Sequence, residues 1–356
     1  METKPSTNLF DYATSELSQD AFFAWLCAHA DTLHRDTEVH EIARAFIQWL
    51  YESSSAKAPP YEHVEVIQQH LKIDLLLRLH GAGNTDHYLL IEDKTYTSDY
   101  GTQISGYLDA LTKEHRRAEQ IWKIERDSIL PIYIKTWVEG TRQAEGAGLK
   151  ARRLYLPDIT KFFSKERLVG VKSEILTSWC EVRRNGHDAL LRYESKPMQE
   201  WNRTQWYGCF HDVCAALPST QDPHYNEVPN AQGGFLAFTI GWPQTSDGYY
   251  TYVQVAGASK HEPFISLRLG ANNGSAVPIT KIREMFDKAN RAAKRHGISV
   301  QKPKRLSPGS SSRFATIAPS RPWSDWCDDN GIFAMTQATG NLQRIMTFLT
   351  DCTTTN

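Results

Sequence analysis

Two consecutive strand-like runs, Lys-Ile-Asp-Leu-Leu-Leu-Arg-Leu at 72–79 and Tyr-Leu-Leu-Ile-Glu-Asp-Lys-Thr at 88–95, constrain this chain more than any other feature. The turn-rich segment Gly-Ala-Gly-Asn-Thr-Asp (81–86) joins them, so they read as a hairpin. Ile73, Leu75, Leu77 and Leu79 form one apolar face, and Leu89, Leu90 and Ile91 crowd the second run. Into this buried texture the sequence sets Asp74, Glu92, Asp93 and Lys94. Side chains alternate along a strand, so Glu92 and Lys94 point one way while Asp93 points the other, as an outward solvated charge. Pairing of the two runs lets Asp74 join Glu92 and Lys94.

A cross-strand ion pair on a solvated face is the plainer account of these charges. The leucine-rich surroundings weigh against it, because burying unpaired carboxylates is unfavourable and a bound metal offsets the penalty. Two carboxylates oriented together hold a hard cation such as Mg²⁺ or Mn²⁺. A lysine beside them orients a water or stabilises developing negative charge. Hydrolysis of phosphate esters is the expected chemistry.

The flanking sequence supplies an α-β-β-β-α-β order. Ser15 or Ser18 caps a helix carrying Phe22, Phe23, Trp25 and Leu26, and a second amphipathic helix carries Ile42, Ala45, Phe46, Trp49 and Leu50. Ser-Ser-Ser-Ala-Lys-Ala-Pro-Pro (53–60) ends the helices, and Val64 and Val66 mark a strand ahead of the hairpin. Residues 103 to about 125 read as helix and 131–138 as a fourth strand, giving a mixed β-sheet flanked by helices, an α/β (α+β) fold. Gln103 and Tyr107 fall on one helical face, where they brace the site or touch a phosphate or base.

Asp74, the triplet Glu92-Asp93-Lys94 and the trailing Gln103-Ile-Ser-Gly-Tyr107 together resemble the PD-(D/E)XK nuclease superfamily, in particular its RecB-like branch with a Gln-x-x-x-Tyr element. Ile73 stands where the motif's name has proline, a substitution common in that superfamily. The run Asn8 to Cys27 is similar to the start of a bacterial PD-(D/E)XK subfamily and supplies Glu16, the upstream acidic residue on a helix. Glu16 also fits a simple part in the helix start, complementing the helix dipole. The resemblance covers roughly residues 8 to 140 and implies a restriction-endonuclease-like core. It also implies Asp74 and Glu92 as ligands of Mg²⁺ (Mn²⁺ substituting), with Asp93 adding its backbone carbonyl. Lys94 is then catalytic, assisted by Glu16 and Gln103.

Length and charge set the outer limits. A chain of 356 residues exceeds one core, so a nuclease-like domain over 1–195 and a second domain over 196–356 are expected. A net charge of −1 requires any nucleic-acid surface to be a local patch. No apolar run spans a bilayer and the first residues carry no signal-peptide pattern, so a cytoplasmic protein without a membrane partner is expected. The six cysteines form no Cys-x-x-Cys pair, and Cys209 and Cys214 read as core of a helix rather than zinc ligands. Phosphate-loop and serine-hydrolase motifs are missing from the sequence.

Closing the first domain and leading onward, a Gly-Ala-Gly loop (146–148), a short edge strand at 153–157 and a bridging helix over 164–184 are expected. Beyond 195, antiparallel strands at 234–242, 249–255 and 264–269, a helix at 279–296, one or two strands at 298–318 and a helix at 340–350 make a second α+β module. Lys288, Arg291, Lys294, Arg295, Lys302, Lys304 and Arg305 form a basic stretch, and Lys288, Arg291 and Arg295 are candidate phosphate contacts. A solvated helix face is the alternative. Trp242, Tyr249, Tyr250 and Tyr252 either stack bases or fill a core, and core is favoured.

The expectation is a metal-dependent nuclease cleaving DNA, with RNA as a further substrate class, in a setting such as defence against foreign DNA, restriction or repair. Alternatives are a catalytically silent module that binds nucleic acid or a partner, and an effector that its C-terminal domain holds off until it senses a partner, nucleotide signal or phage protein; a homo-oligomer or a regulatory partner is the other partner expectation.

Overall fold

The computed structural model describes residues 8–81, 85–95, 103–117, 120–138, 151–229, 234–257, 264–301, 314–320 and 323–354. The centre of the hairpin turn, the Gly-Ala-Gly segment, the Ser-rich 307–312 stretch and Lys302, Lys304 and Arg305 lie outside them. The chain is α+β and divides into two compact units, the first running to His187 and the second beginning at Asp188. No helix among the described residues is long and apolar enough to cross a membrane.

In the first unit Ser15 opens α1 (Glu16–Ala28), its hydroxyl accepting a hydrogen bond from the Ser18 N–H at 3.3 Å. Helix α2 (Glu38–Ser53) buries Ile42, Phe46 and Leu50. Strands β1 (His63–His70), β2 (Ile73–His80) and β3 (Asp86–Lys94) follow, then α3 (Gln103–Thr112), the short pair β4 (His115–Arg117) and β5 (Gln120–Trp122), and β6 (Ile129–Lys135). The unit closes with β7 (Arg152–Tyr155), α4 (Leu156–Phe162) and α5 (Glu174–Leu191), which carries the chain onward.

The sheet runs β1-β2-β3-β6-β7, antiparallel through β3 and parallel from β3 to β7. A parallel join needs a crossover, and α3 lies in the one between β3 and β6. Alternation then sorts the hairpin. Leu75, Leu77, Leu79, Leu89 and Ile91 share a core with α1, α2, α4 and α5, whereas Leu76, Leu90 and Tyr133 share one with Ile104, Leu108 and Leu111 of α3. Ile73, expected among the former, belongs to the α3 side; it opens its strand directly after the left-handed residues Leu71 and Lys72. Phe22 stacks on Trp179 of α5 with ring centroids 4.0 Å apart, fixing α1 against α5.

Two helices differ from expectation. Helix α3 stops at Thr112 instead of near 125, because its apolar stripe of Ile104, Leu108 and Leu111 has no successor, Glu114 and His115 falling where the next apolar residues would be needed. The helix expected over 164–184 begins only at Glu174, Gly170 with φ +84° breaking the chain direction ahead of it.

In the second unit α6 (Arg203–Ala216) starts from an Asn202–Gln205 capping box. Strands β8 (His224–Val228), β9 (Phe235–Ile240), β10 (Tyr249–Gly257) and β11 (Phe264–Ala271) then precede α7 (Ile279–His296), β12 (Phe314–Ser320) and α8 (Met335–Thr354). The five strands form an antiparallel sheet in the order β12-β11-β10-β9-β8. Phe238, Ile240, Val253, Val255, Leu267 and Leu269 share one core with residues of α6, α7 and α8, including Phe210, Met285 and Leu342. Cys209 and Cys214 are buried in that core. Tyr252 is buried and stacks on Trp242 at 4.5 Å, a packing arrangement within the unit.

Candidate metal centre

The β2–β3 ladder ends at the pair Leu75 and Ile91, one step short of Asp74 and Glu92. Continued at the same register, those two would stand directly opposite each other with their side chains on one face. The strands part there instead, while β3 stays paired with β6 through Lys94. Asp74 uses its side chain where the ladder has stopped: its Oδ2 accepts the Asp93 backbone N–H at 3.1 Å. Lys94 Nζ stands 2.5 Å from Glu92 Oε1 and 3.5 Å from Asp74 Oδ2, and it donates to the Asp93 carbonyl at 3.1 Å. Two carboxylates, a lysine and a backbone carbonyl therefore converge at the fork between β2 and β3.

Helix α1 closes the site from the other face. Glu16 Oε1 accepts the Thr95 backbone N–H at 3.3 Å. Gln19 Nε2 donates to both oxygens of Asp93, at 2.7 and 2.9 Å. The Asp93 carboxylate, expected to be an outward solvated charge, is only 1% exposed. Strand alternation does turn it away from Glu92, but that second face is covered by α1, so both faces of β3 are interior. Gln103 Nε2 donates to the Tyr107 hydroxyl at 2.6 Å, and Tyr107 lies within electrostatic reach of Glu92, Asp74 and Lys94.

Burial dominates the electrostatics. Glu92, fully buried, is pushed up to about 8, with the Asp74 charge adding to the effect and Lys94 opposing it. Asp20 is pushed up to about 6 by burial and then by Asp74, and Asp93 is held well above the ordinary carboxylate range by burial and by Asp20. For Lys94 burial alone would lower the proton affinity, but contact with Glu92 and the Asp74 and Glu16 charges raise it. Five carboxyl groups, those of Glu16, Asp20, Asp74, Glu92 and Asp93, thus interact here with one another and with Lys94, whose register partner on β6 is the buried Lys135.

These residues suit a hard cation. Neither Glu92 oxygen accepts a hydrogen bond of ordinary geometry although both are buried, and the donor set is oxygen throughout. Among the described residues no three His, Cys, Asp or Glu side chains stand together in metal-ligand geometry. Two carboxylates and a carbonyl fit Mg²⁺, which keeps several waters and takes further oxygens from a phosphate, better than they fit a cation needing an all-protein cage.

Lys288, Arg291 and Arg295 lie on α7 of the second unit. Lys288 pairs with Glu284 at 3.4 Å and Arg295 with Asp351 at 3.8 Å, while Arg291 is exposed. Sequence reading missed Gln19 and Asp20, buried on α1, Thr136 just after β6, and Lys135, the buried register partner of Lys94. One signal was present. Glu16, Gln19 and Asp20 continue, at helical spacing, the stripe of Phe23, Leu26 and Cys27, so polar groups occupy core positions of α1. Compared with protein-family models, curated proteins and solved structures, the chain gives no match.

Proposed function

We propose that the first unit is a Mg²⁺-dependent nuclease hydrolysing DNA phosphodiester bonds. The observation that supports this most is the fork itself, where Asp74 and Glu92 stand at the parting of two strands with Lys94 in contact with both. When bound, the cation would polarise a phosphoryl oxygen and neutralise charge in the transition state. Asp74, Glu92 and the Asp93 carbonyl are the groups that would hold it. Lys94, cationic and tethered on three sides, positions the attacking water or meets the charge that builds on the phosphate. Glu16 fixes the chain just beyond Lys94 through Thr95, and the Gln103–Tyr107 pair offers polar groups to a neighbouring phosphate or base. Lys288, Arg291 and Arg295 are assigned to substrate phosphates. RNA is the lesser alternative to DNA as substrate for the same chemistry.

The test incubates purified protein with supercoiled plasmid, linear duplex, single-stranded DNA and RNA, in Mg²⁺, Mn²⁺ or EDTA, alongside Glu92→Ala and Lys94→Ala. Metal-dependent cleavage is expected from the wild type and from neither variant, with rates down by about 10³-fold or more. Folded proteins that cut nothing under any metal would replace this reading with a binding module or an effector awaiting its trigger.

A further inference from the structure

Behind the fork runs a hydrogen-bond chain through four parts of the first unit. Arg183 Nη1 on α5 donates to Thr136 Oγ1 at 3.4 Å. The Thr136 hydroxyl, just after β6, donates to Gln19 Oε1 on α1. Gln19 Nε2 donates to both Asp93 oxygens on β3 and reaches the Lys94 carbonyl at 3.4 Å. Gln19 and Thr136 are 3% and 1% exposed, so water does not replace these partners.

The chain has a direction. A guanidinium only donates, so the Thr136 oxygen is the acceptor there and keeps its one proton for Gln19. That proton fixes the amide with its oxygen toward Thr136 and its NH₂ toward Asp93. Asp93 in turn gives the N–H of the peptide unit before it to Asp74 Oδ2 and the carbonyl of the unit after it to Lys94 Nζ. Clamping the Asp93 side chain on one face of β3 therefore sets the backbone at Asp93, from whose two flanking peptide units both groups on the other face are hung.

We propose that Gln19 is a positioning residue of this site, oriented by Thr136 and Arg183, that holds the Asp93 backbone in the attitude on which Asp74 and Lys94 depend. This role deepens the nuclease reading and rests on it for what the site does, but its geometry is testable in metal-free protein. Thr136→Val keeps the shape and removes the proton that orients the amide. Thr136→Ser keeps the proton.

Amide hydrogen exchange is followed at Asp93 and, as a control on the same strand, at Leu90, in metal-free full-length protein. Mn²⁺ affinity is measured directly by calorimetry. In Thr136→Val, exchange at Asp93 is expected to quicken by about tenfold with Leu90 unchanged, and Mn²⁺ affinity to fall by about tenfold. Thr136→Ser should restore both, and Gln19→Leu should reproduce the valine signature. A folded Thr136→Val protein with wild-type exchange at Asp93 and wild-type Mn²⁺ affinity overturns the proposal. If the wild type neither binds Mn²⁺ nor cuts nucleic acid, the nuclease reading falls, and Asp93 exchange still decides whether Gln19 positions that peptide.

Discussion

Glu92 shows what burying a reactive carboxyl does to the protein around it. Its folded-state proton affinity, about 8, exceeds the ordinary value of 4.5, so folding binds a proton between those limits. Stability contributed by that proton is present below the lower limit, is lost as pH rises through the window, and is gone above it. Asp20 acts with the same sign over the narrower window from 3.8 to about 6. Metal-free wild-type protein should therefore melt at lower temperature as pH rises from about 5 to 8, and Glu92→Gln should flatten the upper part of that slope. Added Mg²⁺ should recover melting temperature most at the alkaline end, since it needs the ionised carboxylate. Equal slopes in wild type and Glu92→Gln would show that Glu92 does not titrate in this range. The sequence placed Asp74, Glu92 and Lys94 because alternation and apolar context are local signals. It could not show that Asp93 is interior, because that depends on α1 lying over the second face of β3.

Helical elements carry a contrast between two glycines. A side chain built at Gly208 of α6 would run into the Leu190 carbonyl, whereas one at Gly106 of α3 meets nothing within 4 Å. Gly208→Ala should force α6 off its support and cost about 2 kcal/mol or more, while Gly106→Ala should stabilise by about 0.5–1 kcal/mol through helix propensity alone. Thermal or denaturant unfolding of the two variants checks both signs; stabilisation by Gly208→Ala would mean that the close approach of α6 to Leu190 is wrong. Elements with a sustained stripe were legible: α7 was expected over 279–296 and occupies Ile279–His296. Those ended by a fading stripe were not. The limit of α3 is set where apolar positions run out after Leu111, and β8 escaped notice because His224–Val228 has a single buried residue, Tyr225. Expectations in residues 302–313 fall outside the described structure.

At the scale of the whole chain, a net charge of −1 leaves the proposed nucleic-acid affinity to local charge. On α7 basic residues gather toward the C-terminal end, with Lys294, Arg295 and His296 in the last turn, where the helix dipole favours positive charge. The exposed Arg295–Asp351 ion pair is weak enough to be exchanged for a phosphate contact. Arg291→Gln and Arg295→Gln should each weaken DNA binding and reduce the slope of log affinity against log salt by about one. Unchanged slopes in the double variant would remove α7 from the substrate path and leave its cations as dipole partners. The α+β class and the mixed sheet were readable from the order of strands and helices. The buried polar chain behind the site was not, because its members are scattered over α1, β3, the end of β6 and α5 and meet only in the folded unit. The parted strands at Asp74 and Glu92 bear on folding as well. Sliding β2 by one residue would turn Asp74 toward the leucine core and its leucines toward the acidic cleft. The acids that equip the fork thereby bear on the alignment of the hairpin that builds it: a one-residue slip takes Asp74 away from the Lys94 ammonium and the Asp93 N–H that meet it there and strands it in hydrocarbon.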